Sequence, residues 1–163
     1  MMTYSKLGKN GRLGNQMFQY AALMGTSFIR GRKFMIPETG HSLHETFLLG
    51  SQEEYDESHA PDFIYTEPRF DYEASVCKVE DNTELQGFFQ SPNYFVHCED
   101  KIRDNFIFKP EIEEIAKIQL SKLVPGDRPI CSLHIRRTDY LTKTNYHPAE
   151  DLAYIQNAVQ AVS

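Results

Sequence analysis

The stretch GRLGNQMFQYAALMGTSFIRG, from Gly11 to Gly31, limits what this chain can become more than any other. Two glycines three residues apart open it, and a helical pattern follows. From Asn15 onward Met17, Ala21, Met24 and Phe28 fall at i, i+4, i+7 and i+11, one face of an amphipathic helix. Phe18, Ala22 and Ile29 widen that face. Asn15 is placed to cap the helix, because its side-chain oxygen can accept a first-turn N–H, and Gly31 is placed to stop it. Apolar segments flank the pattern: Thr3 to Leu7 before it, and Lys33 to Ile36 after it, ended by Pro37. Strand, glycine loop, helix and strand make a βαβ unit, so the expected class is α/β.

The rest of the chain extends the alternation. Residues 41–71 read as a long loop with one short helix, and the acidic run Glu53 to Glu57 as a solvated face. Leu85 to Phe89 reads as a strand. Ser91 as N-cap and Pro92 at the first position then open a helix that turns Phe95, Cys98 and Ile102 inward. Pro110 starts another helix, with Ile112, Ile115, Leu120 and Leu123 as its core face. Residues 125–129 are a turn, and Ile130 to Ile135 is the strongest strand pattern in the chain. Pro148 begins a last helix, in which Leu152, Ile155, Val159 and Val162 keep helical spacing. That helix reaches Ser163 without a stopping glycine, which reads as a chain continued in a longer form.

Composition narrows the function classes. At 163 residues and 40% hydrophobic, one domain with a real core is within reach and two full ones are not. A net charge of -6 argues against general nucleic-acid binding but allows a local basic pocket. Cys77, Cys98 and Cys131 form no CxxC pair, so free thiols in a reducing compartment are expected rather than a disulfide framework or zinc site. His41, His44, His59, His97 and His147 show no ligand spacing, and no metal is assigned. No apolar run is long enough to span a bilayer, and the first residues lack the apolar core of a signal peptide. The expected location is cytoplasmic.

The chemistry concentrates in CSLHIRRTDYL, Cys131 to Leu141. In a strand, Ser132, His134 and Arg136 share one face, and Arg137, Thr138 and Asp139 crowd in beyond it. Ligands collect at the carboxyl ends of strands in open α/β sheets. Two adjacent guanidinium forks can hold a diphosphate and stabilise its charge as it leaves. His134 can donate to the same phosphate or position Arg136, and Asp139 can orient an arginine or take a proton. The plainer alternative is a surface ion network of Arg136, Arg137 and Asp139 around a core histidine. Gly11 and Gly14 allow a ligand close to the backbone, although GRLGNQ is neither GxGxxG nor a P-loop, and a glycine turn before a helix is commonly only a turn. In LQGFFQSPNYF, Gln86, Gln90 and Asn93 sit among four aromatic rings, a mixture that suits sugars. Phe88, Phe89, Tyr94 and Phe95 read mainly as core.

Taken together, GRLGNQMFQYA, LQGFFQSPNYF and HIRRTDYL resemble the ordered motifs of the α-1,2-fucosyltransferases, the glycosyltransferases of family 11. The resemblance implies transfer of fucose from GDP-fucose to a galactose 2-hydroxyl with inversion, no metal cofactor, and a GT-B architecture of two Rossmann-like halves. It assigns catalytic roles to His134, Arg136 and Asp139, and substrate contacts to Gly11, Gly14, Asn15, Gln16, Gln90 and Arg137. Residues 1–127 would form a Rossmann-like three-layer domain on the acceptor side, and residues 128–163 the start of the donor-binding half. Three departures stand out: Arg12 replaces a usual glycine, Thr138 stands where glycine is common, and the later Ser- and Trp-rich motifs are missing from a chain without Trp. The expected partners are GDP-fucose and a galactose-containing glycan, with a lipopolysaccharide, an oligosaccharide and a glycoprotein all open as acceptor; nucleic acid is not among them. Peripheral membrane association and a partner chain supplying the other half fit the same reading. A noncatalytic sugar- or nucleotide-binding relic is the alternative, and weak or absent activity of the isolated chain is expected.

Overall fold

A computed structural model describes residues 1–50, 53, 55–124, 126, 130–135 and 152–161. They divide into two units, Met1–Ala116 and Lys117–Ser163. In the first unit four strands, β1 (Met2–Thr3), β2 (Phe34–Met35), β3 (Phe63–Thr66) and β4 (Thr83–Gln86), pair in parallel in the order β2-β1-β4-β3. Met2 is level with Phe34 on one side and with Thr83 on the other, and Phe63 is level with Thr83. Parallel neighbours need a long crossover. Helix α1 (Leu13–Ile29) supplies it between β1 and β2, so the βαβ opening and the α/β, Rossmann-like class are found as expected.

Alternation along the strands gives the sheet two unlike faces. Met2, Phe34, Tyr65 and Leu85 join the main core with Tyr20, Ala22 and Leu23 of α1. Burying each large side chain there contributes about 1.5–3 kcal/mol. Thr3, Met35, Ile64 and Glu84 lie on the opposite face, where they line a cleft together with residues of the 55–61 segment.

Helix α1 forms where its pattern placed it, but rotated. Gln16, Gln19, Tyr20, Leu23 and Ser27 are buried, whereas Phe28 and Ile29 are 49% and 46% exposed. The helix packs on two sides at once. Ala21 joins a second cluster with Cys98 and Ile102, and Met24 packs against both clusters. Gly31 stops it as expected, in the left-handed region at φ +59°. The N–H of Gly31 donates to Phe28 O and that of Arg32 to Ser27 O, which is a Schellman closure.

The strands are shorter than expected and shifted. β1 ends at Thr3; Tyr4 and Leu7 are buried from the loop that follows. β3 lies in the region read as loop, beside the one short helix expected there, α2 (Leu43–Thr46). β4 ends before the expected Leu85–Phe89 segment is half complete, because Gly87 at φ +157° and Phe89 at φ +52° leave the ladder. The Ser91 side chain accepts from Asn93 N as a cap should, but it closes a 3-10 turn, Pro92–Tyr94. A second such turn, Val96–Cys98, leads into α3 (Glu99–Asn105). Cys98 and Ile102 do face inward, and Phe89 and Tyr94 are core.

Helix α4 (Pro110–Leu123) begins at its proline, yet none of its residues is buried. Ile115, Leu120 and Leu123 are exposed rather than core. Glu111 and Glu113 in the first turn suit the positive helix end, and Phe47 bridges Phe108 just before it. Residues 130–135 belong to no strand and are exposed, which corrects the expected strand. A strand exists by pairing, and these residues have no ladder partner among the described residues. Helix α5 (Leu152–Ala161) is present; its expected start at Pro148 and the 125–129 turn, Gly126 apart, lie outside the described residues. Cys77, Cys98 and Cys131 are free thiols.

Candidate functional site

The carboxyl ends of β1 and β4 are neighbours, and the loops that leave them build the site. After β1 the chain turns through Gly11 at φ +86°, a conformation open mainly to glycine. A Cβ at Gly11 would also lie 2.5 Å from the Asn15 Cβ, so the same glycine makes room for that side chain. Asn15 does not cap α1. Arg12 occupies the N-cap position without a side-chain bond, and the Asn15 amide turns outward to accept from Gln90 Nε2 at 2.6 Å. Gln16 is buried; its Oε1 accepts from Ser42 N at 2.8 Å and its Nε2 donates to Gly11 O. Gly11, Asn15, Gln16 and Gln90, four residues proposed from the sequence, are thus brought together through two loops.

Gly14 sits in the first turn with nothing within 4 Å of a built Cβ. Gly25 in the same helix has a packing reason, since a Cβ there would press on the backbone of Tyr94 and Phe95. No such reason exists at Gly14 among the described residues.

Three residues that sequence reasoning missed hold the β4 loop. The Glu67 carboxylate accepts from Phe88 N at 2.7 Å and from Phe89 N at 3.0 Å. The Tyr4 hydroxyl donates to Gly87 O and accepts from Gly87 N. Gln19, wholly buried, donates through Nε2 to Gly87 O and Asn10 O, bridging the two loops. Gln19 lies inside the GRLGNQMFQYA stretch, but its amide reads as helix surface; nothing local singles out Glu67 or Tyr4. Burial pushes the Tyr4 phenol from 10.0 up to about 12, against the Gly87 hydrogen bond, with Glu84 and Glu67 adding to the rise. Burial likewise holds the His41 imidazole below its usual range, although Nε2 meets Pro37 O at 2.6 Å.

His134, in the second unit, is exposed and lies in no strand, so strand alternation does not sort it with Arg136. Arg136, Arg137 and Asp139 lie outside the described residues. Among the described residues no group of three His, Cys, Asp or Glu side chains could hold a metal ion. No described helix is long and apolar enough to cross a membrane.

A parallel sheet with helices on it and glycine and amide loops at its carboxyl ends defines an α/β domain of the Rossmann-like class. Comparison with known proteins narrows the class. The model of glycosyl transferase family 11 matches residues 3–163, and the chain belongs to that family. It is similar to human galactoside alpha-(1,2)-fucosyltransferase 1, 31% identical over 145 residues, which are 81% of this chain and 38% of the human one. The Bos taurus protein of the same name is 32% identical over 161 residues, 91% of this chain and 44% of its own. The Alouatta caraya protein is 33% identical over 144 residues. The chain therefore spans about two fifths of the length of these relatives. No solved structure matches it.

Proposed function

We propose that this chain supplies the acceptor-side portion of an inverting fucosyltransferase that moves fucose from GDP-fucose to the 2-hydroxyl of galactose in a glycan. Family membership and the names of the relatives support the class of reaction. The observation that carries the reading is the Asn15–Gln90 amide pair across the β1 and β4 loops, beside a Gly14 whose missing side chain serves no packing need. Uncharged amides meet hydroxyls without the desolvation cost of a charge, and an open glycine admits a ligand close to the backbone.

The reaction divides among few groups. The acceptor oxygen attacks the anomeric carbon and its proton passes to a base, for which Asp139 is the candidate. The bond from that carbon to the phosphate oxygen breaks, and GDP leaves with the electron pair. Arg136 and Arg137, with His134, neutralise the diphosphate as its charge grows, the service a metal would otherwise perform. No metal is assigned to this step.

The test is a calorimetric titration of the chain with GDP and GDP-fucose, beside Arg136→Ala. The expected result is binding by the parent chain and at least about a tenfold loss in the variant, the scale of one charge-assisted contact. Absence of binding by both proteins refutes a working diphosphate site in this chain and leaves the noncatalytic reading.

A further inference from the structure

The face of the sheet that turns away from α1 carries a feature the fucosyltransferase reading has not used. Two clefts, of about 550 and 310 Å³, share Ser5, Tyr55 and Glu57 in their walls. The larger begins at Lys9, in the same β1 loop as Gly11. The smaller continues over the sheet face to Glu84 and His59. Shared walls make one groove, leading from the Gly11 loop across the carboxyl ends of β1 and β4.

Its floor is built rather than incidental. Glu84 is 3% exposed in the middle of the sheet, and its carboxylate is aimed by Thr3 Oγ1 at 2.5 Å, Ser5 Oγ at 2.7 Å and Ser5 N at 3.0 Å. Among the described residues no cation pairs with it, and a carboxylate buried at this depth is costly. The His59 Nε2 atom, in the same cleft, is buried without a hydrogen-bond partner among the described residues. Tyr55 lies across the junction of the two clefts. It shares the wall of the smaller cleft with Glu84, Glu57 and Asp56; burial raises its phenol above the usual range, and those negative charges raise it further.

This chemistry selects a ligand class. Four carboxylates, Glu38, Asp56, Glu57 and Glu84, against the one lysine Lys9 repel phosphate, so the groove is unsuited to the nucleotide end of a donor. Carboxylates accept hydrogen bonds only, imidazole nitrogen donates or accepts, and a phenol ring offers an apolar face. A neutral polyhydroxylated ring satisfies all three. We propose that this groove is a saccharide subsite, taking the sugar of the acceptor glycan next to the reacting galactose. The inference rests on the fucosyltransferase reading for the words "acceptor" and "reacting"; the groove's preference for a neutral sugar does not.

The experiment is a saturation-transfer NMR titration of the whole chain with lactose, with GDP titrated separately, for the parent, Tyr55→Ala and Glu57→Gln. Melting curves confirm that the variants fold; Glu57 is exposed and its change nearly isosteric. The expected result is lactose binding weakened about tenfold by Tyr55→Ala and about threefold by Glu57→Gln, with GDP affinity unchanged. Equal lactose binding by all three proteins, or none by the parent, overturns the subsite. Lactose binding through the groove without any binding of GDP or GDP-fucose upholds the subsite and removes the transferase reading instead.

Discussion

Replacing Gly25 by alanine sets two opposing terms against each other inside one helix. Alanine is the better helix former by about 1 kcal/mol, so an exposed position would gain. At Gly25 the added methyl would lie 2.9 Å from the Phe95 Cα and against the Tyr94 carbonyl oxygen. Both are backbone atoms, so no rotamer change relieves the contact. The segment is also tied down, with His97 Nε2 on Gly25 O at 2.9 Å and the Phe18 and Phe95 rings 6.0 Å apart. Overpacking of this kind costs about 1–3 kcal/mol and here outweighs the propensity gain. The expected net loss is the difference, up to about 2 kcal/mol, a fall in Tm of up to about 8 °C for a chain of this size. Gly14→Ala is the matched control. With open space around it, it should gain about 0.5–1 kcal/mol and melt higher. Scanning calorimetry on the three proteins reads both signs. Gly25→Ala melting at or above the parent would refute the close approach of α1 to the 94–95 backbone.

Two further tests address the core and the loops. Asn105 is buried, accepting through Oδ1 from the Tyr20 hydroxyl and from Gly50 N, each at 2.7 Å, and donating to Lys101 O at 2.8 Å. Asn105→Ala should cost about 2–3 kcal/mol in urea unfolding, and Tyr20→Phe only about 1, because Gly50 keeps its acceptor in the second case. Equal losses would contradict that ordering. Above pH 10 the Tyr4 phenol should destabilise the fold. Its folded value is raised, so the unfolded chain gives up the proton first, and the associated stability is intact below pH 10 and lost as pH rises toward about 12. Tyr4→Phe should be less stable at neutral pH yet show a shallower alkaline decline, seen by urea titrations at several pH values. An unchanged alkaline slope would count against the burial of that hydroxyl.

What could be read from the sequence was local. The α1 span, its stop at Gly31 and the start of α4 at Pro110 depend on residues within a turn or two, and all three are found. The two-residue strands β1 and β2 were displaced or overdrawn, because their extent is decided by partners about 30 to 80 residues away. The buried face of α1 was misjudged for a related reason. Gln16 and Gln19 carry amides that look like surface, yet each bonds to a distant loop. At the site the same division holds. Gly11, Asn15, Gln16 and Gln90 were visible as motif residues, but the Asn15–Gln90 contact spans 75 positions and leaves no local trace. Glu67, which positions the β4 loop, had no signal at all. The apolar residues of α4 show the reverse error, since helical spacing of isoleucine and leucine reports a stripe and not what covers it.

The segment 55–61 lies over one face of the sheet but contributes no residue to either core cluster. Its sequence is therefore free to drift without loosening the packing of α1 on the strands. Surface loops tolerate change in length at little thermodynamic cost. A domain built this way separates durability from taste: one side of the sheet keeps the molecule folded, while the other can be recut, substitution by substitution, without cost to that packing.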